Sequence, residues 1–212
     1  MSNTDNYNTE QESFWAGQFG DDYTNRNQGA KIERSILLFW SSIIKQTGVL
    51  NSCFELGSNR GLNLEAIKVL MPDCQTSGLE INSYAADECS SKGHNIYKGS
   101  ILSPPDSLKE HLNSFQLSFI SGVLIHINPD SLSAAYDLLY NLSSKYILMS
   151  EYFNPVPVEV SYRGHSERLF KRDFAREFWA KFPNLELVDY GFVWSEDPLA
   201  PQDNLTWFLF RK

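Results

Sequence analysis

Basic residues are scarce in this chain: 18 lysines and arginines stand against 26 aspartates and glutamates, leaving a formal net charge of -8. Non-specific nucleic-acid binding draws its affinity from a basic surface that displaces counterions, so no nucleic-acid partner is expected. Cysteine is equally sparse. Cys53, Cys74 and Cys89 are odd in number and form neither a CxxC pair nor a Cys/His cluster with zinc spacing. They read as reduced, buried thiols, and no metal is expected. Long apolar runs are missing too, and none approaches the roughly 20 residues that cross a bilayer. The opening "MSNTDNYNTEQESFW" is polar and acidic where a secretory leader would be basic and then apolar. The expectation is a cytoplasmic protein with no membrane partner. Also absent are internal repeats, the GxGxxG fingerprint of dinucleotide folds and the Gly-Lys-Ser/Thr ending of a nucleoside triphosphate loop.

What is present suffices for one sizeable core: 212 residues, 42% hydrophobic and 14% aromatic. The first dozen residues, rich in Asn, Thr, Gln and Glu, read as mobile. Ile32, Ile36, Leu37, Phe39, Trp40, Ile43 and Ile44 share one face of a helix predicted over residues 30 to 48. Strands are predicted near 50 to 56, 75 to 80, 94 to 98, 115 to 121, 145 to 151, 185 to 193 and 204 to 210. Helices are predicted near 61 to 71, 83 to 92, 105 to 112, 130 to 141 and 167 to 181. This alternation implies right-handed crossovers and an α/β doubly wound, mainly parallel sheet covered on both faces. The last two strands break the rhythm, because "SEDPLAPQD" is too short to hold a crossover helix. They are expected to form an antiparallel terminal pair.

Four stretches carry the candidate site. "FELGSNRG" follows the first strand, where Gly57 and Gly61 would let the backbone turn tightly and approach a ligand. The helix beyond would aim free amides at the same spot. Two glycines could equally do no more than close a strand-to-helix turn. The second strand, in "SGLEIN", ends in Glu80, about 20 residues beyond the turn, where a carboxylate can accept both hydroxyls of a ribose. Ile81 beside it can lie on an adenine face. After the third strand comes "YKGSIL", with Ser100 and the backbone available to an adenine edge. The fourth, "FQLSFISGVLIHINP", ends in Ser121, Gly122 and Val123, followed by His126.

With these motifs in this order, the sequence resembles the class I S-adenosylmethionine-dependent methyltransferases over residues 30 to 212. Within that superfamily, "FWAGQFGDDYTNRN", "YRGHSERLFKRDFA", "LVDYGFVW" and "DNLTWFLF" look like the small methylases associated with pseudaminic acid biosynthesis. The resemblance implies a seven-stranded Rossmann-like sheet with a reversed last strand, and S-adenosylmethionine as cofactor with S-adenosylhomocysteine as product. It implies that Glu55, Gly57 and Gly61 surround the methionine end of the cofactor, with Ser58 and Asn59 in the turn between. Glu80 and Ile81 would take the ribose and adenine face, Gly99, Ser100 and Ile101 the adenine, and Ser121, Gly122 and Val123 the region of the sulfonium. A hydroxyl acceptor is helped by a base, and His126 follows the strand that ends near the transferred methyl. Packing against backbone is the other role open to it.

Two further stretches bear on the acceptor. Residues 1 to 29 are expected to form a lid on the 30 to 212 domain: Phe14, Trp15, Phe19 and Tyr23 are too aromatic for a disordered tail, while Gly17, Gly20 and the Asp pair argue against a rigid helix. Closure would bring Tyr23, Arg26 and Asn27 near the methionine carboxylate or the acceptor, and Tyr23 joins His126 as a catalytic candidate. Packing of the first helix onto the sheet is the other use for these aromatics. Arg163, His165, Arg168, Lys171 and Arg172 form a basic cluster in an acidic chain. Tyr162, Arg163, His165 and Arg168 are therefore expected to grip a small acidic acceptor such as a nonulosonic acid, a nucleotide-linked sugar or a phosphonate. A solvated helix face is the alternative for these charges. A non-catalytic S-adenosylmethionine sensor and a nicotinamide-dependent oxidoreductase remain the competing functional classes.

Overall fold

The computed structural model of the protein describes residues 7–26, 29–164 and 166–212. It begins with a helical pair, α1 (Glu10–Ala16) and α2 (Gln18–Arg26), followed by α3 (Ala30–Thr47). The alternating part runs β1 (Ser52–Leu56), α4 (Leu62–Leu70), β2 (Gln75–Glu80), α5 (Ser83–Ser91), β3 (Asn95–Lys98), β4 (Phe115–Ser121), α6 (Leu132–Leu142) and β5 (Ser143–Glu151). A two-stranded arm, β6 (Val158–Glu159) and β7 (Phe170–Lys171), precedes α7 (Phe174–Lys181), β8 (Glu186–Val193) and β9 (Leu205–Arg211).

The seven-stranded sheet has the order β3-β2-β1-β4-β5-β9-β8. Pairings from β3 through β5 are parallel, and β9 runs antiparallel to both β5 and β8. This is the expected α/β fold with its reversed last strand. The central strands are apolar on both faces because helices cover both. Trp40, Ile43, Leu64 and Ile67 pack on one side against Phe119 and Leu148, and Leu139, Phe174 and Phe178 on the other against Ile147 and Phe210. All three cysteines are unbridged and buried, and no described helix is long and apolar enough to cross a membrane.

Three sequence expectations change. Residues 1 to 6 of the expected mobile stretch lie outside the described residues, but Thr9 and Glu12 form a reciprocal capping box that starts α1, so the stretch called too glycine-rich for helix is helical. Gly20 is there for packing: a Cβ on it would lie 2.0 Å from the Trp15 carbonyl oxygen. The helix expected over 105 to 112 is a 3-10 turn over Asp106–His111. The helix expected over 167 to 181 starts only at Phe174, capped by Asp173, whose side chain accepts from the Arg176 amide. Residues 170 and 171 belong instead to the arm.

Candidate functional site

Strand order reverses between β1 and β4, which diverge toward opposite halves of the sheet. Beyond the carboxyl ends of such strands a crevice opens, and ligands of doubly wound sheets bind there. In this protein the crevice is a cavity of about 730 Å³. The turns after β1 and β4 meet across it: a Cβ on Gly57, whose φ is 74°, would lie 2.6 Å from Val123 Cγ2.

Two buried carboxylates stand at the heads of β1 and β2. Glu55 Oε1 accepts from Asn63 Nδ2 at 2.7 Å, and Asn63 Oδ1 accepts from Trp40 Nε1 at 2.9 Å, so a helix-to-helix relay orients the acid. Glu55 Oε2 is buried with no partner among the described residues. Burial raises the Glu55 carboxyl well above its usual range, and the Asn63 hydrogen bond offsets part of this. Glu80 accepts the amides of Asn59 at 2.7 Å and Asn82 at 2.8 Å, one on each oxygen, and burial again raises its pKa. A carboxylate oxygen can accept more than one hydrogen bond, and Glu80 lines the cavity.

The helical pair lies beside these strand ends and contributes to the cavity wall. Asn59, at a left-handed φ of 45°, donates from Nδ2 to Thr24 Oγ1 at 3.1 Å. Asn82 Nδ2 donates to Asp21 Oδ1 at 2.8 Å and faces the Trp15 and Gly17 carbonyls. Ser100 Oγ is hydrogen-bonded to Glu12, a buried acid of α1 that lines the cavity beside Gly99 and Ile101.

At the other end, beyond Gly122, the wall is aromatic. His126 lies 4.5 Å from the Trp15 ring and 5.1 Å from the Tyr162 ring, centroid to centroid, and Trp15 lies 5.2 Å from Tyr23. His126 Nδ1 donates to the Arg168 carbonyl at 2.5 Å. Because a carbonyl can only accept, this fixes the proton on Nδ1 and leaves Nε2 with a lone pair. Burial lowers the His126 pKa to about 4, so the ring is neutral near pH 7. Tyr152 and Asp203 complete this wall, and the Tyr152 hydroxyl is pushed up by burial and by its hydrogen bond to Asp203. At the end of β5, Glu151 Oε1 accepts the amides of Val123 and Leu124, each at 2.9 Å, and holds the β4 turn in place.

The cavity wall therefore gathers Tyr23, Glu55, Gly57, Ser58, Asn59, Glu80 and Ile81 with Gly99, Ser100 and Ile101. It also includes Ser121, Gly122, Val123, His126, Tyr162 and Arg163. Three expected residues lie off it. Gly61 sits behind the turn, where a Cβ would meet Cys89 Sγ at 2.4 Å. Arg26 stacks over Phe19 at 5.6 Å. Arg168 pairs with Glu10 at 3.1 Å and lies over Phe14, so its guanidinium holds α1. His165 and Asn27 lie outside the described residues. Sequence reading missed Glu12, Asn63, Tyr152 and Asp203, because only the tertiary fold brings them to the strand ends. The Thr9-to-Glu12 spacing was a local signal for α1.

No protein-family model matches the chain, and no curated protein matches it in sequence. Solved structures do match in shape. Magnesium protoporphyrin IX methyltransferase from Synechocystis PCC 6803, with bound S-adenosylmethionine, superposes with a TM-score of 0.66 at 11% identity, covering 98% of this chain and 99% of that one. The 1,6-didemethyltoxoflavin-N1-methyltransferase of Burkholderia thailandensis gives 0.68 at 13%, covering 95% and 86%. A methyltransferase from Archaeoglobus fulgidus gives 0.63 at 12%, covering 92% and 100%. The fold is that of the class I S-adenosylmethionine-dependent methyltransferases.

Proposed function

We propose that this protein is an S-adenosylmethionine-dependent methyltransferase acting on an oxygen or nitrogen of a small acidic molecule. The observation that carries this reading is the pair of buried carboxylates, Glu55 and Glu80, at the heads of neighbouring strands on the wall of one cavity. The residues present fit the cofactor. Glu55 Oε2 has no donor among the described residues, and an orphaned buried acceptor costs free energy that an ammonium group would recover. Glu80 would take the ribose hydroxyls, while Ile81, Gly99, Ser100 and Ile101 would bound the adenine. Gly57 and Val123 bring backbone close to the reacting end.

When bound, S-adenosylmethionine supplies a methyl group on a sulfonium leaving group. The chain's own contribution is to hold the acceptor in line and to exclude water. Trp15, Tyr23 and Tyr162 would wall the acceptor chamber, with α1 and α2 acting as its lid. His126 would take the acceptor's proton on Nε2, a role suited to its neutral state. Arg163 on the cavity wall supports an acidic acceptor, joined by Lys31, which the sequence reading did not select. Arg168 is committed to Glu10 and is withdrawn from that role. Within this reading, a nonulosonic acid or nucleotide-linked sugar is the acceptor class, following the resemblance to pseudaminic acid methylases, and the protein works in the cytoplasm.

The test is to incubate the protein with S-adenosylmethionine and panels of nonulosonic acids, nucleotide sugars and phosphonates. S-adenosylhomocysteine release and product mass are then followed. Methylation confined to a peptide or a neutral metabolite would refute the acidic acceptor.

A further inference from the structure

The loop residues Glu167 and Arg168 are held from two sides. From the lid side, Gln11 Nε2 donates to the Glu167 carbonyl at 2.9 Å, and Glu10 pairs with the Arg168 guanidinium at 3.1 Å. Phe14, one turn beyond Glu10 on the same face of α1, lies under that guanidinium at 5.3 Å. The guanidinium also donates back to the Glu167 carbonyl at 3.0 Å. From the cavity side, the Arg168 carbonyl receives the Nδ1 proton of His126. Trp15, one turn beyond Gln11, packs at a tilt against the same imidazole. Glu167 itself sits at a φ of 55°, a left-handed conformation that non-glycine residues seldom adopt without outside support. Its other tie, from its amide to Glu159 Oε1, is local to the β6–β7 arm.

We propose that residues 167 and 168 form a strap through which helix α1 sets the tautomer of His126, so that the imidazole presents a bare Nε2 only while the lid is seated. Gln11, Glu10 and Arg168 are then positioning residues acting through a backbone carbonyl, and the arginine taken from sequence as a substrate contact serves the base instead. This proposal rests on the reading of His126 as the proton acceptor. Its mechanistic consequence is that seating the lid both closes the chamber and prepares the base. An imidazole that loses its carbonyl partner populates both neutral tautomers and leaves Nε2 partly protonated, unable to accept.

The experiment is long-range 1H–15N correlation NMR of the histidine rings at neutral pH in wild type, Gln11→Leu and Arg168→Met. Gln11→Leu removes the donor to Glu167, and Arg168→Met cuts both guanidinium links while keeping the backbone carbonyl. Wild type is expected to give the Nδ1–H tautomer alone for His126, with both variants shifting the tautomer ratio by roughly 10-fold, the scale of one hydrogen bond. An unchanged Nδ1–H signature in whichever variant folds would overturn the strap. A wild type already mixed would do so as well. Calorimetric titration of S-adenosylhomocysteine into the same samples keeps the two readings separate. Failure to bind it counts against the methyl-transfer reading, whereas the tautomer result stands without turnover.

Discussion

Gly57 and Val123 meet at the head of the sheet so closely that a single added Cβ on the glycine would lie 2.6 Å from a valine methyl. Gly122, one residue away, has a similar φ of 66° but open space where its Cβ would be. Gly57→Ala therefore carries both backbone strain and a clash, and Gly122→Ala carries strain alone. Urea unfolding is expected to place the losses near 3 kcal/mol for Gly57→Ala and about 1 kcal/mol for Gly122→Ala. Equal losses would mean that the contact between the two turns does not matter.

Asn63 links Trp40 to Glu55 through its two amide atoms. Asn63→Ala would leave the indole N–H and a carboxylate oxygen without partners in a buried setting. A stability loss of roughly 2 kcal/mol is expected. Calorimetry should also show about tenfold weaker S-adenosylhomocysteine binding, because Glu55 is no longer oriented. A Trp40→Phe variant leaves the Asn63–Glu55 hydrogen bond in place and should lose less affinity, although the cavity left in the core adds its own stability cost.

Burial pushes the Glu151 carboxyl up to about 7. Between about 4.5, the value of an unburied glutamate, and 7 the folded chain binds a proton that the unfolded chain has released. The stability this gives at low pH is lost as pH rises through that window. Glu151→Gln keeps the oxygen that accepts the Val123 and Leu124 amides but cannot titrate. Its stability relative to wild type should climb by up to roughly 3 kcal/mol from pH 4.5 to 7 and then level off. His126 works in the opposite sense, losing stability as pH falls from 6.5 toward 4, and cancels in this comparison. Parallel stability curves would show that Glu151 does not titrate there.

Asn82 caps α5 and also reaches Asp21 and two carbonyls of the helical pair. Asn82→Ala should lower stability by about 1 kcal/mol through the cap. Hydrogen exchange should reveal a second effect, with faster exchange across residues 10 to 26 while β1 and β4 stay protected. Uniform acceleration over the whole chain would leave the helical pair without a special link to Asn82.

The sheet was legible in the sequence because its central strands are buried on both faces and alternate with helices. The two carboxylates, the glycine turn and the Gly122-Val123 strand end follow directly from that order. The helical character of residues 10 to 26 was not legible, since Gly17 and Gly20 suggest looseness where Gly20 in fact allows α2 to press onto Trp15. Within the basic cluster, Arg168 and Arg172 are tied to acids, while Arg163 stays on the cavity wall. Arg168 and Arg172 find their acids at Glu10 and Glu177, and an ion pair spanning 158 residues leaves no local trace. Glu12 was invisible as a site residue because its partner Ser100 lies 88 positions away.

Isothermal titration of S-adenosylhomocysteine into the protein tests the central claim most directly. The account predicts one site per chain with a dissociation constant of about 10 μM or tighter, weakened at least ~10-fold by Glu80→Gln. No binding at roughly 1 mM, together with saturable binding of a nicotinamide dinucleotide, would contradict it.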